Sequence, residues 1–150
     1  MNRHQRDMRF GSQSETDIHP ILEEHFGILK NTKDLAQYGR HFEFDKVNDE
    51  YFIEIKTRRI NHNQYDSLYF GKNKFLKGNE LLQENPELRI FYLWKCYDGI
   101  FGWEHDSSPY SIKMQGRCDR GRNEYNECID IEQKYIKPLN TLIEGAGPQR

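Results

Sequence analysis

Between His41 and Arg59 the chain reads HFEFDKVNDEYFIEIKTRR: two stretches of alternating character, His41 to Lys46 and Glu50 to Thr57, separated by Val47-Asn48-Asp49. A period of two suits a strand with one buried face, and an Asn-Asp pair between two such stretches signals a turn, so the segment predicts a β-hairpin. In its second arm Ile53 and Ile55 share one face, towards the core, while Glu54 and Lys56 share the other. Pairing of the arms then brings Asp45, near the end of the first, alongside Glu54. Two carboxylates and one ammonium are gathered by backbone geometry alone.

Other elements follow from spacing. Glu15, Ile18, Leu22 and Phe26 recur at helical intervals, with Ser14 as a candidate N-cap and Gly27 as a stop. Pro20 is awkward for this helix, which must begin nearer Thr16 or Asp17 or bend. Residues 73–85 predict a second helix ended by Pro86. The apolar run Leu88 to Tyr97 predicts a strand, Asp98-Gly99 a turn, and Ile100 to Glu104 a returning strand. A last strand is expected over Glu127 to Ile131 and a short helical segment around Pro138 to Ile143. The order implies an α/β domain on a mixed β-sheet flanked by helices. At 150 residues the chain is expected to be one domain, with residues 1 to about 12 and 145–150 as loose tails.

Only 35% of the residues are hydrophobic, but 9 Phe, 9 Tyr and 2 Trp add bulk to the Ile and Leu available for a core. No apolar run approaches the ~18 residues of a membrane span, and the first thirteen residues lack the apolar segment of a signal peptide. The expectation is an intracellular protein, in cytoplasm or nucleus, with no membrane partner. Cys96, Cys118 and Cys128 fit neither a disulfide framework nor a zinc site, and the six histidines show no paired ligand spacing. No Gly-rich phosphate loop is present. Although the net charge is −2, the stretch from Lys56 to Lys77 holds six bases against the single acid Asp66. That local excess points towards a polyanion.

The Asp45, Glu54 and Lys56 grouping suits phosphodiester hydrolysis. Two neighbouring carboxylates repel, and a hard divalent cation such as Mg²⁺ relieves the repulsion through oxygen ligands while keeping several waters. Such an ion lowers the pKa of a bound water and neutralises charge on a phosphate. A lysine beside it either orients or deprotonates the attacking water or stabilises the developing negative charge. The sequence carries its own control in Glu132-Gln133-Lys134, a second Glu-X-Lys. The acid upstream of that copy, Asp119, lies in GRCDRGRN, which has no alternation to present it.

Asp45, eight further residues, then Glu54-Ile55-Lys56, with an amphipathic helix before and helix and strand after, resembles the PD-(D/E)XK nuclease superfamily. Phe44-Asp45 stands where the family name has Pro-Asp. The resemblance spans about Glu15 to Trp103, some 89 of 150 residues. Within the superfamily the chain is most similar to small single-domain proteins of large DNA viruses, through Glu54-Ile55-Lys56-Thr57-Arg58 and Gly71-Lys72-Asn73-Lys74. The resemblance implies a restriction-endonuclease-like core, in the order α-β-β-β-α-β with extra C-terminal strands. It also implies that Asp45 and Glu54 bind Mg²⁺, with Mn²⁺ able to substitute, that the carbonyl of Ile55 completes the shell, and that Lys56 is the catalytic lysine. Many members add a glutamate from the first helix. Glu15 is the choice here because it lies on the Ile18, Leu22 and Phe26 stripe; as plain structure it would be a helix-start acid.

Other residues bear on substrate. Lys74, opening the second helix, suits a phosphate contact, and Lys72, Arg58 and Arg59 are further nucleic-acid-binding candidates. Gln64-Tyr65 stands where some branches carry a Gln/Tyr motif, in a segment that otherwise reads as a loop. Phe91, Tyr92 and Trp94 read as core, whereas Tyr97, Trp103 and Tyr110 lie nearer turns, within reach of unstacked bases. Arg117, Arg120 and Arg122 form a basic loop. The expected function is a Mg²⁺-dependent nuclease acting on nucleic acid, DNA in preference to RNA, directed by structure or by ends, with a homodimer or an accessory protein to help hold a duplex. The alternative is a catalytically inactive nucleic-acid-binding or adaptor domain of the same fold.

Overall fold

A computed structural model describes residues 18–39, 41–115 and 126–144. Residues 18–26 are helical (α1), bury Ile18, Leu22 and Phe26 on one stripe, and end at Gly27, whose φ of +82° is open to glycine without strain. Glu15 and Ser14 lie outside the described residues.

The predicted hairpin is present. Its arms are β2 (Lys46–Val47) and β3 (Tyr51–Thr57), with Lys46 opposite Ile53. Asn48 closes the turn: its Oδ1 accepts the N–H groups of Glu50 and Tyr51 at 2.9 and 2.8 Å, and its Nδ2 donates to the Phe26 carbonyl at 3.0 Å. The first arm is shorter than its alternation implied. Residues 41–45 leave the ladder because Thr32 binds the Phe44 and Asp45 carbonyls, and because Phe42 and Phe44 pack into an aromatic cluster with Tyr38 and Phe52. Pairing nonetheless extends one bond further, from the Asp45 N–H to the Ile53 carbonyl at 2.9 Å.

The remaining elements are β1 (Lys30–Asn31), β4 (Ser67–Gly71), α2 (Lys72–Glu84), β5 (Arg89–Cys96), β6 (Gly99–Glu104), β7 (Ser111–Gln115), β8 (Asn126–Glu132), β9 (Lys137–Pro138) and α3 (Leu139–Glu144). They form a mixed α/β fold. A six-stranded sheet has the order β1-β2-β3-β5-β6-β9, in which only β3 and β5 run parallel. That parallel pair needs a crossover, which α2 provides. A second, three-stranded antiparallel sheet has the order β4-β8-β7.

Cores lie on both faces of the large sheet. Ile53, Ile55, Phe91 and Leu93 pack against Ile18, Leu22 and Phe26 of α1 and Leu139 and Leu142 of α3. Phe52, Ile90, Tyr92, Trp94 and Trp103 pack against Leu68, Phe70, Phe75, Ile129 and Ile131, from α2 and the small sheet. Trp103 is therefore fully buried and not available to bases, while Phe91, Tyr92 and Trp94 are core as expected. No helix among the described residues is long and apolar enough to cross a membrane.

A buried polar cluster fixes α2 to the sheet. The His105 ring lies 4.4 Å from that of Phe75, its Nε2 faces Asn79 Oδ1 at 2.8 Å, and its Nδ1 faces the Tyr92 hydroxyl at 2.8 Å. The amide oxygen only accepts and the hydroxyl can donate, so these partners assign a neutral imidazole protonated at Nε2. Gly78 is the residue of α2 that lets these rings approach: a Cβ there would meet His105 and the Tyr92 hydroxyl at 2.9 Å. Gly→Ala in an open helix gains about 1 kcal/mol. Here the sign reverses, and Gly78→Ala is expected to lose about 1–3 kcal/mol of stability in urea denaturation.

Candidate active site

Because β3 lies between β2 and β5 and is covered on both faces, Glu54 is not on a solvent face. It is 6% exposed. Asp45 is set against it by two contacts with β3: its N–H reaches the Ile53 carbonyl, and its Oδ2 accepts the Ile55 N–H at 2.9 Å. The Asp45 carboxylate is thus held by main chain, half-buried, beside the buried Glu54.

Lys74, in the first turn of α2, donates to Glu54 Oε1 at 2.7 Å. The helix begins there because Gly71 holds extended geometry (φ −65°, ψ 137°) at the N-cap position. Glu54 Oε2 is buried and has no hydrogen-bond partner. Burial, then the charge of Asp45, pushes the Glu54 carboxyl up to about 8, against the opposing pull of Lys74. Two residues along, burial, then the charges of Arg58 and Lys74, push the Lys56 ammonium down to about 8. An acid and a base with values this close to neutrality, side by side on one strand, mark a site suited to proton transfer.

Across from them stands Tyr69 of β4. Lys56 Nζ lies 5.0 Å and Arg58 Cζ 4.3 Å from its ring centroid, and Arg58 Nη2 is buried without a partner. The structure therefore brings together Asp45, Glu54, Ile55, Lys56, Arg58 and Lys74. Lys72 is drawn instead to Glu127 at 3.2 Å, and Arg59 is exposed. Glu15, Asp119, Arg117, Arg120 and Arg122 lie outside the described residues. Among the described residues no three or more His, Cys, Asp or Glu side chains cluster closely enough to hold a metal ion, so the acidic donors here are the pair Asp45 and Glu54.

The second Glu-X-Lys is placed differently. Glu132 ends β8, Lys134 lies in a 3-10 turn, and the two pair with each other at 3.5 Å with side chains 63% and 66% exposed. Gln64 and Tyr65 lie in a loop, Tyr65 being 59% exposed. Tyr69 escaped the sequence reading, though Ser67-Leu68-Tyr69-Phe70 does alternate, with Leu68 and Phe70 buried. The Glu54 to Lys74 pairing was also missed, since nothing local joins residues twenty apart. Comparison with family models, with curated proteins and with solved structures gives no match to this chain.

Proposed function

We propose that the protein is a divalent-cation-dependent nuclease that hydrolyses phosphodiester bonds of nucleic acid, DNA in preference to RNA. The observation that carries this reading is Glu54 Oε2: an orphaned oxygen on a carboxylate buried beside a second one. A buried acceptor with nothing to accept is costly, and two adjacent carboxylates compound the cost. A Mg²⁺ or Mn²⁺ ion, which prefers oxygen donors, fits that pair, with Asp45 and Glu54 as its carboxylate ligands and the Ile55 carbonyl as a third donor. When bound, such an ion supplies charge neutralisation and a more acidic water. Lys56, beside this pair but not part of it, is the group positioned to hold or take a proton from the attacking water, or to face the negative charge that develops on phosphate.

The chain order supports a restriction-endonuclease-like core. A helix, strands including the β2–β3 hairpin, a crossover helix and a parallel strand follow one another as that core requires. Here β4 leaves the main sheet to found the small one, a departure from the simple pattern. With so few elements available to read bases, cutting is directed by nucleic-acid structure or ends, with a second copy or an accessory protein to help hold a duplex.

One observation favours a second reading, a binding or adaptor domain: Lys74 already occupies one oxygen of the Glu54 carboxyl from within the fold. The two readings separate when single-stranded, duplex and branched DNA and RNA are incubated with Mg²⁺, Mn²⁺ or EDTA. Cleavage that needs metal is expected, and Glu132→Ala is expected to cleave at the wild-type rate. Binding to these nucleic acids with no metal-dependent cleavage of any would leave the adaptor.

A further inference from the structure

Tyr69 is held from behind. Its carbonyl accepts the indole N–H of Trp94 at 3.0 Å, and Trp94 is fully buried, in register with Lys56 on the adjacent strand. The phenol ring is therefore anchored at its root to the same sheet that carries the site, and two cations lie against it, the Lys56 ammonium at 5.0 Å and the Arg58 guanidinium at 4.3 Å. Ring faces attract cations, but they offset only part of what a guanidinium loses on leaving water. Arg58 Nη2 remains buried and without an acceptor.

Nearby acids are committed elsewhere. Asp130, directly opposite Tyr69 on β8, accepts from Ser67 at 2.9 Å and faces Lys113 at 3.4 Å. Glu54 Oε1 is taken by Lys74. Among the described residues no ion pair includes Arg58. A guanidinium held over a ring beside an ammonium, with no ion-pair partner of its own among the described residues, is a site prepared for an anion. The planar fork of a guanidinium matches two oxygens of a phosphate, which the point charge of a lysine does not.

We propose that Arg58, laid on Tyr69 beside Lys56, is a phosphate clasp that grips the substrate strand at a phosphate next to the one being cut. The proposal rests on the nuclease reading for its substrate and goes beyond it in separating Arg58 from Arg59 and in giving Tyr69 a role. Tyr69 is a positioning residue: its ring, 4.3 Å from the Arg58 guanidinium carbon, holds that group beside Lys56.

The test is binding in EDTA, where cleavage does not enter. The affinity of a short single-stranded oligonucleotide is followed by fluorescence anisotropy over a range of salt concentrations, with inorganic phosphate as a separate probe. Arg58→Gln is expected to weaken oligonucleotide binding about tenfold and to lower the log–log salt slope by about one, whereas Arg59→Gln changes both less. Tyr69→Phe, which keeps the ring, should match wild type; Tyr69→Leu should bind several-fold more weakly. Arg58→Lys keeps the charge without the fork and should fall between wild type and Arg58→Gln. Wild-type affinity and slope in Arg58→Gln would overturn the clasp, as would Tyr69→Phe binding as weakly as Tyr69→Leu. Inorganic phosphate binding as tightly as the oligonucleotide would also overturn it, by showing a free-anion site. A chain that needs Arg58 for binding yet never cleaves sinks the nuclease reading and leaves the clasp standing; a chain that cleaves and ignores Arg58→Gln does the reverse.

Discussion

Lys56→Met is expected to lower metal-dependent cleavage by about 10²- to 10⁴-fold, the range for loss of a positioned proton-transfer group, while Mg²⁺ affinity stays equal or rises. Affinity survives because Lys56 contributes no oxygen, and removing a cation next to Glu54 favours a second cation there. Stability separates this loss from misfolding. The ammonium is held near 8 against an ordinary 10.5, so the folded state binds its proton less tightly than the unfolded chain does. Below pH 8 the buried charge costs stability, and the cost is relieved as pH rises from about 8 towards 10.5. Lys56→Met retains the side chain's bulk without the charge, so at pH 7 it should be at least as stable as wild type in urea denaturation. The pH profile assigns the role. A lysine acting through its neutral amine gives a rate that rises through about pH 8; one acting as a cation gives a rate that falls there, and only that second role is rescued in part by Lys56→Arg. Cleavage by Lys56→Met at the wild-type rate would remove Lys56 from the chemistry.

How much of this was legible depended on whether the governing contact was local. Hairpin, second helix and the β5–β6 pair were readable because alternation, Pro86 and Asp98-Gly99 are signals within a few residues of what they control. The small sheet was readable only in its central strand, β8. β4 pairs with β8 across more than fifty residues, so its alternation does not say which strand it joins, and β7 exposes most of its side chains and shows no buried face. That omission changed the environment of the site. Ile53 and Ile55 do face a core as alternation requires, but the opposite face, read as an open one for Glu54 and Lys56, is roofed by α2 and the small sheet. The same roof gives both groups their displaced pKa values. It also brings Lys74, expected as a phosphate contact, against Glu54, and it gives Arg58 and Arg59, adjacent in sequence, different surroundings: one lies under the roof against Tyr69 while the other is exposed. The two copies of Glu-X-Lys make the same point, since one lies on a strand buried on both sides and the other at a strand end in solvent.

Burial of Glu54 leads to the other large expected effect. Glu54→Gln should abolish cleavage and weaken Mg²⁺ binding, read by calorimetry, because a carboxamide keeps the shape but supplies no charge. The same substitution should stabilise the metal-free protein at neutral and alkaline pH. In the fold the carboxyl ionises near 8 instead of near 4.5, so the native state holds the proton more tightly than the unfolded chain does. Stability from this group is fully present below about pH 4.5 and is lost as pH rises through 8, a change on the order of a few kcal/mol for a shift of this size. Glutamine cannot ionise, so wild type and variant should be equally stable near pH 4 and separate progressively up to pH 8, with the variant ahead. Mg²⁺ should close that gap in the wild type alone, because charge compensation at the carboxylate pair is what the bare site lacks. Parallel stability curves for the two proteins across this range would mean that Glu54 is ionised and satisfied without a metal. The orphaned oxygen would then lose its force as the mark of a cation site, and with it the hydrolytic reading.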